Sequence, residues 1–432
     1  MNKLFIFALV ALLTVCAWAE NGLSVSQQVD NMLFQGRYAD GEIVVKYTEG
    51  SFAAMNVNTS AVKDLGNNTF CMKLRGDMKK TLVQLLQDPS VQYAEPNYLY
   101  KTMAVPNDAK FGQLWGMKKI GAPEAWNTKS KGNGILVAVI DTGINYKHED
   151  LKDNVWVNEA EANGKAGVDD DGNGYVDDIH GMSGITQSGD PMDDQSHGSH
   201  CSGTIGGSGN NGIGVAGVCW EAEIMGCKFL GADGSGSLEG AVLCINYAVA
   251  NGAKVLSNSW GGGGFSVALY DAIKNAQDAG VLFVAAAGNS YNGELSYPAN
   301  YCLDTNHNGT VYKGLDNVLS VAASDQNDSK ASFSQYSVEA AKAGKMIAAP
   351  GTSILSTVLG NDYASYDGTS MATPHVAGAA TLVWSNNPNL TAIEVKNLLV
   401  NSGDTLEWSA DWWGPKFNVQ RLNLNNAVKQ SK

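Results

Sequence analysis

A serine with the character of a nucleophile stands in the segment Gly-Thr-Ser-Met-Ala-Thr-Pro-His, residues 368–375, which opens a helix predicted to run to about residue 384. Unpaired N–H groups and the helix dipole favour negative charge at a helix N-terminus, so Ser370 could become an alkoxide or lie beside an oxyanion. Pro374 is tolerated because the first turn of a helix accepts proline. The competing interpretation is an ordinary helix-capping serine.

A base for that serine has to come from the six histidines of the chain. His197 and His200 lie three residues apart at a predicted helix start, so one helix face could carry both. His197 is the candidate general base. The alternatives are a polar cluster at a helix start or a metal pair. A metal pair would need a third ligand and usually the glutamate of an HExxH spacing, which this segment lacks.

Two further polar residues follow predicted buried strands. Asp141 ends the strand at residues 134–140, and a buried carboxylate is costly unless it is paired, as it would be by orienting a histidine. A turn residue or a metal ligand is the alternative for Asp141. Asn289 follows the strand at residues 281–287, and a side-chain amide there could stabilise a developing oxyanion. The alternative for Asn289 is a turn-forming Gly-Asn pair.

The elements that would position these residues alternate between strand and helix. Near-continuous apolar strands are predicted at residues 134–140, 255–257, 281–287 and 318–322. Helices are predicted between them, for example at residues 238–251 and 266–279. This pattern is typical of an α/β fold, a mostly parallel sheet with helices on both faces. Ligands of such sheets bind at the carboxyl ends of the strands, where the polar residues above are found.

An earlier part of the chain, residues 40–103, has the pattern of a small α+β unit. Strands are predicted at residues 41–47 and 91–98, and a helix at residues 78–87. The last strand leads into an extended tail.

The order Asp141, His197, Ser370 is the subtilisin order, distinct from those of chymotrypsin and the α/β-hydrolases. Residues 139–144, 197–200 and 368–375 closely resemble the motifs of the subtilase family of serine proteases, and the resemblance extends from about residue 105 to the end. Residues 40–103 resemble the inhibitory propeptide of that family. We therefore expect a subtilisin-like fold preceded by a small propeptide domain.

The resemblance implies a role for each motif residue. Ser370 would be the nucleophile, His197 the base, Asp141 its orienting carboxylate and Asn289 an oxyanion donor. His200 and His375 would then be structural. Ser199 replaces the commoner threonine, which we expect to be harmless. Cys201 follows the histidine motif as in the thiol-containing branch of the family, and we expect a free thiol that makes the enzyme sensitive to mercurials.

Two glycine-rich segments resemble the strands with which subtilases hold an extended substrate. They contain Gly234, Ser235 and Gly236, and Ser259, Trp260 and Gly261. Bare backbone at such glycines lets a peptide pair as an added strand, although flexible surface loops are the alternative. Ser296 resembles the base of the primary specificity pocket, and a serine leaves that pocket fairly open. An insertion at residues 301–314 departs from the simplest family members.

Two candidate calcium sites are expected. By resemblance, the first comprises Asp108, Asp150 and Asn211 with the carbonyls of Ile213 and Val215. The second is the acidic stretch at residues 168–178, which begins like an EF-hand loop, with oxygen ligands at alternate positions and a glycine at position six. No glutamate stands at position twelve, so Asp178 would substitute; its ligands would be Asp169, Asp171, Asn173 and Asp178. An acidic solvated turn is the alternative.

The composition narrows the function further. The net charge of −14 argues against a nucleic-acid partner. A charged start, an apolar run to Ala19 and an A-x-A ending predict a secretory signal peptide, with a membrane anchor as the alternative. Secretion permits disulfides, but loss of Cys16 and Cys71 would leave five cysteines and hence at least one free thiol.

The sequence therefore predicts a secreted or lumenal serine endopeptidase, supported by structural Ca²⁺ and made as a precursor. Residues 1–19 would be the signal peptide, 20–104 the propeptide and 105–432 the catalytic domain, with self-cleavage between Tyr100 and Asp108. We expect peptide and protein substrates, the propeptide as an intramolecular inhibitor, and a monomer with no membrane contact after signal removal. An inactive calcium-binding scaffold is the alternative, while a sedolisin-type enzyme would need glutamate in place of His197.

Overall fold

The computed structural model describes residues 23–35, 38–51, 57–99, 105–128, 131–410 and 414–431 of the chain. They form two compact units, divided between Thr102 and Met103. The predicted signal peptide and most of the predicted cleavage window lie outside the described residues.

The N-terminal unit is a four-stranded antiparallel sheet with two helices. Its strands are β1 (Tyr38–Tyr47), β2 (Thr59–Gly66), β3 (Thr69–Leu74) and β4 (Val91–Tyr98), in the order β2-β3-β1-β4. The helices are α1 (Val25–Gln35) and α2 (Met78–Leu86). Ile43 and Val45 alternate with less buried residues along β1 and form a core with Leu82 of α2. This matches the α+β unit predicted from the sequence.

The second unit is built on a nine-stranded sheet in the order β16-β17-β13-β12-β9-β8-β5-β7-β6. All neighbouring strands are parallel except the antiparallel pair β16 and β17. The bounds are β5 (Leu136–Asp141), β6 (Gly181–Ser183), β7 (Glu223–Lys228), β8 (Val255–Asn258), β9 (Leu282–Ala286), β12 (Val318–Ser324), β13 (Met346–Pro350), β16 (Asp404–Ser409) and β17 (Lys416–Arg421).

Two small hairpins accompany this sheet. They are formed by β10 (Thr305–His307) with β11 (Thr310–Tyr312), and by β14 (Ile354–Thr357) with β15 (Tyr363–Tyr366). The first hairpin accounts for the insertion noted at residues 301–314, because an Asn-Gly pair with positive φ at Asn308 and Gly309 makes its turn.

The helices of the second unit cover both faces of the sheet. They are α3 (Trp115–Lys119), α4 (Ala122–Ala125), α5 (Glu159–Ala162), α6 (His197–Gly206), α7 (Leu238–Ala250), α8 (Val267–Asp278), α9 (Val338–Lys342), α10 (Thr369–Asn386), α11 (Ala392–Asn401) and α12 (Leu424–Gln430). Helices α6 and α10 contribute to one core, and α7 and α8 to the other.

Strand β5 shows why the central strands have near-continuous apolar sequences. Val137 and Val139 enter the core on one face, and Ala138 and Ile140 enter the core on the other. Because every residue of the strand is buried, its positions before Asp141 all carry apolar side chains. The predicted α/β class is confirmed, and the predicted strands are found with their ends displaced by one or two residues.

The cysteines and the helices of the described residues bear on two further expectations. Six cysteines, from Cys71 to Cys302, are free thiols. The expected free thiol is thus found, and no disulfide joins any pair among the described residues. None of the described helices combines the length and the apolar character that crossing a membrane requires.

Candidate active site

Three of the predicted site residues follow neighbouring parallel strands at their carboxyl ends. Asp141 ends β5, Ser259 directly follows β8, and Asn289 comes three residues after β9. The chain places β6 and β7 on one side of β5 and β8 on the other, so the strand order reverses there. Open α/β sheets bind their ligands at such a switch point.

His197 begins α6 and faces Asp141. Its Nδ1 lies 2.7 Å from Asp141 Oδ1, and the Asp141 side chain is completely buried. The same carboxylate oxygen accepts the Thr142 N–H at 2.7 Å. An aspartate held in this way orients the imidazole and stabilises its protonated form. The His197 side chain keeps a quarter of its surface exposed, so it can meet a substrate.

Two opposing effects set the proton affinity of His197. Burial lowers the pKa of His197, but the charge of Asp141, its hydrogen bond and the charge of Asp193 together raise that pKa above the ordinary 6.5. The net upward shift means that the ring is a stronger base than a free histidine. A base near neutrality suits proton transfer from a serine hydroxyl.

Ser370 is the second residue of α10, and its hydroxyl points away from the helix N–H groups. Its Oγ donates to the carbonyl of Ser259 at 2.8 Å. The alternative of a helix-capping serine is therefore wrong, because Gly368 is the cap residue. The φ of 156° at Gly368 is one that L-residues rarely adopt. In this site Ser370 Oγ is hydrogen-bonded to the Ser259 carbonyl and has no hydrogen bond to His197.

Pro374 explains how the Ser370 backbone is tied to its surroundings. We expected this proline in the first turn, but it is the sixth residue of α10 and lies in the second turn. Its missing N–H would otherwise bond the Ser370 carbonyl. That carbonyl instead accepts Ser259 Oγ at 2.9 Å and Cys201 Sγ at 3.5 Å. The proline thus frees an acceptor that links α10 to β8 and α6.

Asn289 is oriented by the first residue of α10. The N–H and the hydroxyl of Thr369 donate to Asn289 Oδ1 at 2.9 and 3.0 Å. With its oxygen held by these donors, Asn289 has its Nδ2 available as a donor. The Ser370 N–H lies at the second position of the helix, where no intrahelical acceptor exists. These two donors are a suitable pair for an oxyanion.

The other histidines of the motifs have structural contacts. His200 is buried, stacks on Tyr366 with ring centroids 4.4 Å apart, and bonds the Ile354 and Ala364 carbonyls through Nε2. His375 bonds the Met371 carbonyl of its own helix. Burial lowers the pKa of both rings to about 4. They therefore stay neutral in the pH range where His197 titrates.

Cys201 lies beside the His197–Asp141 pair but does not hydrogen-bond to Asp141. Ligand atoms of Asp141, His197 and Cys201 lie within 4.8 Å of one another. Burial, reinforced by the charge of Asp141, raises the pKa of the thiol well above its ordinary value. The thiol therefore stays protonated and is a poor nucleophile. His200 is not part of this group, and its Nε2 is bonded to the Ile354 and Ala364 carbonyls, which argues against the alternative of a His197–His200 metal pair.

The two predicted substrate segments differ in shape. Gly234, Ser235 and Gly236 are exposed in a turn closed by a bridge between Leu230 and Gly236. Gly234 has φ +76°, which favours glycine. The second segment lies against the predicted specificity pocket.

That second segment, Ser259, Trp260 and Gly261, runs on from β8 toward Ser296. A Cβ on Gly261 would lie 3.1 Å from the Ser296 Cβ. Trp260 packs edge-on against Phe229, with ring centroids 4.8 Å apart. Ser296 itself donates through Oγ to Gln335 Oε1 at 2.9 Å. Gln335 had no signal in the sequence, because it lies far along the chain on another loop.

The first candidate calcium site brings two buried carboxylates together. Asp108 accepts the Asn210 N–H, and Asp150 accepts the Val215 N–H and the Asn211 amide, each at 2.7 Å. Burial raises the pKa of both carboxyls, and for Asp108 the charge of Asp150 adds to the effect. Asp108 Oδ1 is buried without a hydrogen-bond partner. An orphaned oxygen beside a second carboxylate fits a hard cation such as Ca²⁺.

Two further residues make hydrogen bonds to the side chains of this candidate site. Ile213 donates its N–H to Asn211 Oδ1 at 2.9 Å, and the Tyr363 hydroxyl donates to Asp150 at 3.3 Å. Tyr363 had not been expected near the site, because it comes from the β14–β15 hairpin.

The second candidate site brings together Asp171, Asn173 and Asp178 of the predicted set and adds Glu161. Carboxylate oxygens of Glu161, Asp171 and Asp178 lie within 4.8 Å of one another. Asn173 donates to both aspartates at 3.0 and 2.8 Å. Asp169 is not among these three carboxylates, and its oxygens accept the N–H groups of residues 172–174. Glu161 was missed because it comes from α5 and not from the loop motif.

Comparison with known proteins gives the affiliation of both units. Residues 132–425 match the subtilase family model, and residues 26–97 match the model of the fervidolysin N-terminal prodomain. The chain is 32% identical to the thermophilic serine proteinase of Bacillus sp. (strain AK1) over 403 residues, which cover 91% of this chain and 88% of that protein.

Two other relatives extend the comparison. The chain is 39% identical over 321 residues to the alkaline protease of Alkalihalobacillus alcalophilus, covering 74% of this chain and 70% of that protein. It is 40% identical over 296 residues to subtilisin-like protease 1 of Plasmodium vivax, covering 67% of this chain and 47% of that protein. The chain therefore belongs to the subtilase family and is a subtilisin-like serine endopeptidase with an N-terminal propeptide.

Proposed function

We propose that this protein hydrolyses peptide bonds through Ser370, His197 and Asp141. The observation that carries the proposal is the short His197–Asp141 contact at the carboxyl ends of the strands. One helical turn after His197, the Cys201 thiol reaches the carbonyl of Ser370, a serine at a helix N-terminus. Ser370 Oγ rotates away from the Ser259 carbonyl toward His197 Nε2 when substrate binds. Catalytic hydrogen bonds are often formed only in the complex with substrate.

In the first half of the reaction, Ser370 Oγ attacks the scissile carbonyl carbon while His197 takes the hydroxyl proton. Asn289 Nδ2 and the Ser370 N–H bind the oxyanion of the tetrahedral intermediate. His197 then gives its proton to the leaving amine, and an acyl-enzyme remains on Ser370. Water attacks this ester with His197 again as base, which releases the acid and restores the serine.

The segments on either side of the site suit an extended polypeptide as substrate. An unfolded or loop segment would pair with the exposed backbone at residues 234–236 and with residues 259–261, as an added strand. Its side chain before the scissile bond would lie against Ser296. We infer that the enzyme is an endopeptidase for extended segments of proteins.

The propeptide would inhibit the enzyme until the enzyme removes it. We propose that the signal peptide directs the precursor into a secretory compartment. The precursor then cleaves itself between Tyr100 and Asp108. Secretion is in keeping with the apolar N-terminus of the sequence. The mature protein would act as a monomer on peptide and protein substrates.

We further propose that Ca²⁺ stabilises the mature enzyme without taking part in the reaction. Asp108 and Asp150 would hold one ion, with Asn211 nearby. Glu161, Asp171 and Asp178 would hold another. Bound calcium neutralises carboxylates that burial would otherwise destabilise, and its binding free energy adds to the stability of the folded state.

Expression of the full precursor beside its Ser370→Ala variant tests the central proposal. We expect the wild type to shorten by the length of the propeptide, to digest casein and to react with a fluorophosphonate probe. The variant should stay full length and do neither. Sequencing the mature N-terminus locates the cleavage; an N-terminus before Tyr93 would contradict the predicted window.

The expected loss in casein hydrolysis is about a million-fold, which is the loss in kcat when the nucleophilic serine of subtilisin is removed. If both proteins shorten and digest casein alike, Ser370 is not the nucleophile. If both remain full length and unreactive, the chain behaves as an inactive scaffold under these conditions, and the proposal is overturned.

A further inference from the structure

Gln335 is a buried amide whose hydrogen bonds all go to one loop. It lies between β12 and α9 and is 4% exposed. Its Oε1 accepts Ser296 Oγ at 2.9 Å and the Ser290 N–H at 3.2 Å. Its Nε2 donates to Asn292 Oδ1 at 3.0 Å and to the Glu294 carbonyl. The amide thus uses both of its donors and both acceptor directions inside the loop at residues 290–296.

The backbone of Gln335 is also bonded to Gly288, just before the loop at residues 290–296. Its N–H donates to the Gly288 carbonyl at 2.9 Å. A Cβ on Gly288 would lie 1.9 Å from Gln335 Oε1 and 2.4 Å from Ser296 Oγ. Bonds to Gly288 and Ser290 therefore flank Asn289, the proposed oxyanion donor, on both sides.

Ser296 is held between this loop and the substrate segment after β8. Gly261 faces it across 3.1 Å, measured from an ideal Cβ on the glycine to the Ser296 Cβ. The Ser296 hydroxyl donates its hydrogen bond to Gln335, so toward a substrate it can act only as an acceptor. The groups in contact with Ser296 here, Gly261, Gly288 and Gln335, are all uncharged.

We propose that Gln335 is a specificity-determining residue, which sets the floor of the primary specificity pocket through Ser296 and the loop at residues 290–296. This inference rests on the proposed function. An uncharged side chain before the scissile bond suits this floor, because the groups in contact with Ser296 carry no charge and its hydroxyl already donates to Gln335. Gln335 itself does not touch the substrate.

The hydrogen bonds of Gln335 require both the length of its side chain and its amide group. Asparagine carries the same amide on a side chain one methylene shorter, and it cannot reach Ser296 and Glu294 together. Glutamate keeps the length but replaces both donors by an acceptor, which then faces Asn292 Oδ1 and the Glu294 carbonyl. In either variant the loop has to move, and with it the pocket floor.

The test uses Gln335→Asn and Gln335→Glu in the full precursor, after self-activation. Peptide p-nitroanilides that differ only in the residue before the scissile bond (Phe, Leu, Ala and Lys) report kcat/KM, and a fluorophosphonate titrates the active sites. We expect the Phe-to-Ala ratio of kcat/KM to change by about tenfold, the effect of a misfit of one methylene in an apolar pocket. In Gln335→Glu the Lys substrate should also gain relative to Phe.

Gln326→Asn is the matched control, because it shortens an exposed amide on the same loop. We expect its substrate ratios to equal those of the wild type. Unchanged ratios in titrated Gln335 variants would overturn the inference while leaving the proposed function standing. A wild type that neither cleaves the peptides nor reacts with the fluorophosphonate would overturn the proposed function, and this inference with it.

A second variant keeps the inference open to refutation if neither Gln335 variant gives titratable enzyme. Asn292→Ala removes one acceptor of the Gln335 amide and leaves Ser296 in place. It should move the Phe-to-Ala ratio in the same direction by a smaller factor. A ratio equal to that of the wild type would then overturn the role assigned to Gln335.

Discussion

The active-site edge of the sheet and the Asp108–Asp150 pair both bury carboxylates, but they offset the cost of burial differently. Asp141 faces a titratable base, His197, 2.7 Å away. The charge of Asp150 acts on Asp108, and the hydrogen bonds that the two carboxylates accept come from uncharged amides and the Tyr363 hydroxyl. Burial consequently raises the pKa of both carboxyls of the pair.

The difference shows what each site depends on. A carboxylate beside histidine can be neutralised from within, when the ring takes up a proton. Two carboxylates that face each other need a positive charge from outside, because like charges in a buried site destabilise each other. The active site should therefore respond to pH, and the carboxylate pair to the concentration of divalent cation. Each of the following changes tests one side of this contrast.

The largest effect is expected at the active-site carboxylate. Asp141→Asn should lower kcat by about 10⁴-fold, as in other Ser-His-Asp proteases, because an amide no longer holds the reactive tautomer of His197. Active-site-titrated enzyme and a peptide p-nitroanilide measure the change. Thermal unfolding of both proteins is the control for folding.

The same variant should also move the pH profile. His197 acts as a base only when neutral, so activity falls as pH drops through its pKa, which lies above 6.5 in the wild type. Removing the charge of Asp141 leaves burial as the dominant influence and lowers that pKa. The acid limb of kcat/KM should move to lower pH; an unmoved limb would show that another group titrates.

A smaller loss is expected when the oxyanion amide is removed. Asn289→Ala deletes the Nδ2 donor and should lower kcat by about 10²–10³-fold with little change in KM, because the donor acts mainly in the transition state. Steady-state kinetics on the same peptide separate the two constants. Asn292→Ala removes a neighbouring amide of the same loop; it is expected to change the selectivity ratio described above but to retain most of kcat. Equal losses in the two variants would assign the effect to the loop and not to the oxyanion.

The smallest effect is expected at the carboxylate pair, and it concerns stability. In calcium at 100 times its Kd, Asp150→Asn should lose about 2.7 kcal/mol of the binding contribution to stability. In EDTA the variant should be as stable as the wild type or more stable, because it lacks one of two buried like charges. Calorimetric melting with and without calcium measures this crossover, while kcat per active site stays unchanged.

Asp153→Asn is the control for that measurement, since it makes the same charge change at an exposed position three residues away. Its melting temperature should follow that of the wild type in both buffers. If Asp150→Asn and the wild type respond to EDTA equally, the pair does not bind calcium.

Much of the fold and the main site could be predicted because their signals are local. Apolar runs such as residues 281–287 indicate buried strands whatever surrounds them. The motif around Ser370 and the order of Asp141, His197 and Ser370 identify the family. The ends of strands and helices were less accurate, since capping residues and pairing partners decide them; Pro374 proved to lie one turn deeper than expected.

The sequence by itself determined the class of the fold, the family and the residue types available for chemistry. Only the tertiary structure decided that the Ser370 hydroxyl donates to the Ser259 carbonyl, that Gln335 accepts the Ser296 hydroxyl, and that Glu161 joins Asp171 and Asp178 in the acidic group. Each of these pairs is separated by many residues or joins different elements. Hydrogen bonds and charges act over a few ångströms in space, and the folding of the chain alone brings such partners within that distance.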